Sequence, residues 1–123
     1  MCGSFRYTSV ATPAFGLQCY CRNCQRITGT GHSSQFALLH KEVTMTGATS
    51  KYETKADSGN TVTVTFCSIC GNPLYNTTNG YPQFAFFHAA TLDDPSKFKP
   101  QSVEWVSCRQ PWDLIDASLQ RNI

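Results

Sequence analysis

A mainly β fold with minor helix is what this sequence predicts, and three observations carry that expectation. Apolar and polar residues alternate with period two in several short stretches, turn-forming residues recur between them, and helix signals are few. At 123 residues the chain fits a single domain spanning 1–123. A chain of that size buries roughly two-thirds of its unfolded surface, enough for one core without disulfide staples. Hydrophobic content of 41% beside 15% charged residues suits a packed interior and argues against a disordered chain.

Taken in order, Phe5-Arg6-Tyr7 is the first alternating stretch. Cys19-Tyr20-Cys21, on a strand, would point two thiols to the same side. Arg22 to Ile27 has room for one or two helical turns ending near Gly29. Gln35–Leu39 and Phe84–Phe87 are short apolar runs that read as strands buried on both faces. Val43-Thr44-Met45 and Ser50–Glu53 alternate again. Thr61–Phe66 is the clearest strand, with Val62, Val64 and Phe66 on one face and Thr61, Thr63 and Thr65 on the other. Together with Tyr52 it frames a hairpin around Ser58-Gly59-Asn60. Val103–Val106 reads as the last strand and Leu114–Gln120 as a short C-terminal helix. Thr12-Pro13, Asn79–Pro82 and Asp93-Asp94-Pro95 mark turns between these elements.

Charge and hydropathy then exclude two partner classes. A net charge of +2 is too weak for a nucleic-acid surface. The longest apolar run, Phe84–Phe87, falls far short of the roughly 20 residues of a membrane span. The opening Met1–Arg6 lacks the apolar stretch of a secretion signal, so a cytoplasmic protein is expected. Seven cysteines, about 6% of the chain, lie below the range that marks a disulfide scaffold. In a reducing compartment, clustered cysteines point to metal rather than to disulfides.

Five of the seven fall in two tight groups. Cys19, Cys21 and Cys24 can bring three sulfurs from six residues to a centre about 2.3 Å from each, the geometry of zinc. Cys67-Ser68-Ile69-Cys70-Gly71 is a second knuckle after a strong strand, and Gly71 allows the positive φ such turns need. Two partitions are open. Cys21, Cys24, Cys67 and Cys70 could close one four-cysteine ribbon, although 42 residues separate the pairs and zinc pairs usually lie 15–20 apart. The other gives Cys19, Cys21 and Cys24 one metal, and Cys67 and Cys70 a second with help from elsewhere. Three protein ligands with an open fourth position is the pattern of a catalytic zinc, and the spacing favours this second partition.

These residues belong to a longer ordered series: Cys2–Tyr7, Cys19–Gly29, Phe66–Gly71, Thr91–Pro95 and Arg109-Gln110-Pro111-Trp112. The series resembles the glutathione-dependent formaldehyde-activating enzyme family, also called the CENP-V/GFA domain, from Cys2 to Trp112. The resemblance implies an Mss4-like folded β-sheet assembly with two zinc sites. It implies a carbon–sulfur lyase that joins formaldehyde to glutathione, giving S-(hydroxymethyl)glutathione. On this resemblance Cys19, Cys21 and Cys24 match the catalytic zinc ligands and Cys67 and Cys70 half of a structural site. Cys2 matches the second cysteine of an N-terminal pair whose first member would precede Met1, so that site is expected to hold three thiols and the chain one to two zincs. Tyr20, Gln25 and Ala90 depart from the family pattern of His, Arg and Gly.

The expected partners are a glutathione-like thiol and an aldehyde, with a homodimer as the candidate assembly. Arg22 and Arg26 flank Cys24 and are the candidates to meet the two carboxylates of glutathione. His32, on a loop just after the first cluster, is a candidate for the same site. His88 reads as a core histidine, Cys108 as a free half-buried thiol, and Trp105 and Trp112 as core or cleft walls. Two other classes are alternatives: a non-catalytic zinc-stabilised binding module, and an enzyme acting on a different thiol or aldehyde.

Overall fold

The computed structural model describes residues 1–123. Strand takes 41% of the chain and helical turns 15%, with one α-helix, so the protein is mainly β as the sequence predicts. The elements are β1 (Arg6–Ser9), β2 (Phe15–Cys19), α1 (Arg22–Thr28), β3 (Ser33–Leu39), β4 (Val43–Thr46), β5 (Thr49–Lys55), β6 (Thr61–Cys67), β7 (Pro73–Thr78), β8 (Phe84–His88), β9 (Ser102–Glu104) and β10 (Gln120–Arg121). No helix is long and apolar enough to cross a membrane. The chain forms two compact units, Met1–Ala14 with Ala37–Phe87, and Phe15–Phe36 with His88–Ile123.

In the first unit β1 and β4 pair antiparallel, from Arg6 opposite Thr46 to Ser9 opposite Val43. β5 and β6 form the expected hairpin, with Lys55 opposite Thr61 and Thr49 opposite Cys67. Gly59 closes its turn at φ +90°, a conformation that glycine adopts without a Cβ penalty. β7 continues the antiparallel ladder on β6, and the register slips between Thr65 and Phe66. Such a bulge bends a strand and re-aims the residues beyond it, here the Cys67 knuckle. The unit's core is aromatic. Phe87 is fully buried, stacked at 4.2 Å on Tyr7 and 4.9 Å from Tyr75, and burial of such a ring contributes about 1.5–3 kcal/mol.

β6 departs from the simple two-faced reading. Thr65 and Cys67 are its buried residues, whereas Val62, Val64 and Phe66 are only half-buried. Threonine tolerates this site because its β-branched body packs like valine, but its Oγ1 finds no hydrogen-bond partner.

In the second unit β2, β9 and β10 run parallel, with Leu17 and Gln120 both aligned on Ser102. Gly16 is buried where a Cβ would sit 2.9 Å from the Lys99 carbonyl oxygen, so the close approach of these two segments requires glycine. Two expectations are corrected here. The strand predicted over Val103–Val106 stops at Glu104, because Trp105 takes φ +57° and starts a 3-10 turn over Val106–Cys108. The helix predicted over Leu114–Gln120 does not form. Asp116 instead turns the chain by accepting from the Ser118 amide at 2.9 Å, Leu114 stays 83% exposed, and the segment ends in β10. Seven residues with no apolar face to bury cannot offset helix nucleation.

His88 closes β8 as a buried residue with an unpaired Nε2, and burial lowers its pKa from 6.5 to about 4. The unfolded chain therefore takes up a proton below about pH 6.5 that the folded chain refuses until about pH 4. His88 supports full stability above that window and loses it on acidification, by about 3 kcal/mol. Denaturation midpoints measured between pH 4 and 7 should fall less steeply for His88→Leu than for the unmodified chain.

Candidate functional site

Cys19 ends β2, and the chain turns at once, so Tyr20 and Cys21 lie outside the strand. Cys21 is the N-cap of α1 rather than a strand residue, and its Sγ accepts the Cys24 amide at 3.4 Å. Cys24 follows one turn later on the helix. The three Sγ atoms all lie within 4.8 Å of one another, with Cys19 and Cys24 buried and Cys21 half-buried. From β3, Ser33 and Gln35 reach the same place, two residues apart and so on one strand face. Gln35 Nε2 donates to Cys24 Sγ at 3.7 Å and to Ser33 Oγ at 2.6 Å.

The three thiols cannot all ionise so close together. Contact with Cys19 and then Cys24 lowers the Cys21 pKa to about 2. Contact with Cys21 and Cys24, then burial, drives Cys19 well above the thiol range. Cys19 draws Cys24 down, but Cys21 and burial outweigh it and leave Cys24 at about 11. The cluster thus offers three sulfurs that compete for ionisation and converge their lone pairs. A divalent cation is what would allow all three to ionise together.

Gln25 is a buried junction. Its Nε2 donates to the Tyr20 carbonyl at 2.7 Å and the Cys108 carbonyl at 3.1 Å. Its Oε1 accepts from Gln110 Nε2 at 3.2 Å and from Arg22 Nη1. The peptide between Cys19 and Cys21 is thereby fastened to the Cys108–Gln110 segment. Arg22 begins α1 one residue after Cys21, held by Gln25, while Arg26 is exposed in the helix's last turn.

The second triad stands in the first unit. Cys67 ends β6, the Gly71 amide returns to the Cys67 carbonyl at 2.9 Å, and Gly71 sits at φ +77°. Cys2 joins this knuckle with its Sγ 3.7 Å from Cys67 Sγ, and the sulfurs of Cys2, Cys67 and Cys70 all lie within 4.8 Å. Backbone amides at Asn72 and Cys2 hold Cys70 at a pKa of about 6. The Ser4 amide draws Cys2 down, but the Cys70 and Cys67 thiols outweigh it and raise it. Tetrahedral zinc with sulfur at about 2.3 Å needs sulfurs roughly 3.8 Å apart. The 3.7 Å separation of Cys2 and Cys67 meets that edge, so both the donor set and the spacing fit zinc.

Gly47 holds Cys2 in reach. At φ +110°, a Cβ there would lie 2.7 Å from Phe5 Cα and overlap the Ser4 carbonyl, backbone that cannot swing aside. Gly47→Ala should therefore displace the segment carrying Cys2 and destabilise the fold by about 2 kcal/mol. Metal titration should show weakened binding at one site only.

Of the other candidates, Cys108 is a free, half-buried thiol outside both triads. Trp112 is 67% exposed and so belongs to no core. Sequence reasoning passed over Ser33, Gln35 and the Gln25 junction, because polar residues carry no spacing signal. It also could not link His32 to Asp113, 81 residues away, whose carboxylate meets His32 Nδ1 at 2.6 Å.

A comparison with curated proteins gives no match. Residues 1–108 of the 123 match the family model described as glutathione-dependent formaldehyde-activating enzyme, and the chain belongs to that family.

Proposed function

We propose that the chain acts over residues 1–123 as one zinc-dependent carbon–sulfur lyase-type enzyme of the cytoplasm, forming or cleaving the adduct of glutathione and formaldehyde. The thiol R–SH adds across H2C=O to give R–S–CH2–OH. One S–C bond forms, the carbonyl π bond breaks, and the thiol proton ends on oxygen. The observation that carries this reading is the convergence of three sulfurs from a six-residue stretch in a chain of this family.

In this proposal Cys19, Cys21 and Cys24 are the reaction-site ligands, and Cys2, Cys67 and Cys70 hold a structural zinc. Zinc held by Cys19, Cys21 and Cys24 would supply a Lewis acid that lowers the pKa of a thiol bound to it toward neutrality. The chain's own residues do the rest. Gln35, itself held by Ser33, orients Cys24, as outer-shell donors commonly orient a metal ligand. Burial of Cys19 and Tyr20 keeps bulk water from that side. Arg22, steadied by Gln25, and Arg26 supply cations for the two glutathione carboxylates.

Zinc-loaded protein should speed the loss of free thiol when glutathione and formaldehyde are mixed, and cysteamine, which lacks both carboxylates, should be a poor substitute. No acceleration with any thiol at full zinc occupancy would leave a non-catalytic module. Equal rates for both thiols would remove Arg22 and Arg26 from the site.

A further inference from the structure

The notable polar pair outside the thiols is His32 with Asp113, and several features of the second unit are built around it. Asp113 Oδ2 lies 2.6 Å from His32 Nδ1, an approach open only because residue 31 is glycine. A Cβ on the buried Gly31 would overlap the Asp113 carboxylate, with Cγ at 2.6 Å. The His32 ring stacks on Tyr20 at 4.8 Å between centroids, and Tyr20 is the fully buried residue between Cys19 and Cys21. Thr28, on the helix that carries Cys24, donates its hydroxyl to the His32 carbonyl at 3.1 Å. The next residue, Ser33, accepts from Gln35 Nε2, which also donates to Cys24 Sγ. His32 is therefore bracketed by neighbours of the thiol triad on both sides.

The carboxylate fixes the tautomer. With Nδ1 donating to the Asp113 carboxylate, the neutral form of the ring presents its lone pair at Nε2, 3.5 Å from Gln18 Nε2. The other groups facing the ring are few. Tyr20 is held neutral by burial and by the Asp113 charge, and Arg109 donates to the Asp113 carbonyl at 3.0 Å. Gln18 and Thr28 are uncharged. The His32 side chain is 24% exposed, enough to exchange a proton with a bound substrate or with solvent.

We infer that His32 is the general base of the thiol–aldehyde reaction, with Asp113 as its positioning residue. This rests on the function proposed above. The thiol proton passes to His32 Nε2 as sulfur becomes a thiolate. The sulfur pair then forms the S–C bond, the carbonyl π pair moves to oxygen, and His32 returns the proton to that oxygen. Cleavage is the same path reversed, and no further reactant is needed.

The test separates binding from chemistry. Glutathione binding to zinc-loaded protein is measured by calorimetry without aldehyde. His32→Gln should bind glutathione as the unmodified chain does, because the base acts once the thiol is seated. Adduct formation by His32→Gln should fall about a hundredfold at unchanged zinc content, as removal of a general base does. His32→Ala should recover part of its rate with added imidazole, which a merely structural histidine would not allow. Asp113→Asn should reproduce the rate loss with an intact zinc count. Equal rates for the unmodified chain and His32→Gln, or a rate loss accounted for by weaker glutathione binding alone, would overturn this inference and leave the function standing. Failure of zinc-loaded protein to bind glutathione at all would overturn both.

Discussion

Cys21→Ser should purify as a folded protein with one zinc fewer and with adduct formation reduced to the uncatalysed rate. Cys19, Cys21 and Cys24 lie within six residues, so a metal there closes only a local loop and adds little to the order of distant segments. The substitution even keeps the helix cap. Cys21 accepts the Cys24 amide as the N-cap of α1, and serine is among the best residues for that position. Gln25 still fastens the Tyr20 carbonyl to the Cys108 segment. The stability change should stay within about 1 kcal/mol, while two sulfurs are too few to hold a reactive zinc. Circular dichroism with zinc analysis reads the first outcome and a thiol-consumption assay the second.

Cys67→Ser should do the opposite and leave aggregated or poorly expressed protein. Cys67 is buried at 2% exposure, it ends β6, and its sulfur meets that of Cys2 from 65 residues away. A metal across that span removes far more freedom from the unfolded chain than a local one. Structural zinc binding is of order 10 kcal/mol, and somewhat less with three protein ligands. That is comparable to the whole stability of a typical domain. Any soluble fraction should melt more than about 15 °C lower, and a strong chelator should bring the unmodified chain down similarly. If Cys67→Ser stays folded and active while Cys21→Ser unfolds, the structural and reactive roles are exchanged.

Much of this architecture was legible in the chain because it is written in local periodicity. The alternation over Thr61–Phe66 and the Asp57–Asn60 turn gave the β5–β6 hairpin, and the apolar run at Phe84 gave β8. The thiol groups were legible because a metal demands fixed spacing. What local pattern could not carry was decided by contacts between remote residues. Thr65 is buried against its alternation, Trp105 leaves the strand at a positive φ, and Leu114–Gln120 follows Asp116 into a turn. The pairing of His32 with Asp113, and the four-way bonding of Gln25, depend on how the 108–113 segment returns to α1. No spacing in the sequence encodes that return.

The central claim is that the Cys19, Cys21 and Cys24 triad is the seat of a thiol–aldehyde reaction. Magnetisation exchange between free carbon-13 formaldehyde and its glutathione adduct tests it most directly, since it follows bond formation and cleavage at equilibrium. Protein holding two zincs should accelerate that exchange well above the buffer rate, and Cys21→Ser holding one zinc should not. Equal acceleration by both proteins, or none by fully loaded protein, would contradict the account.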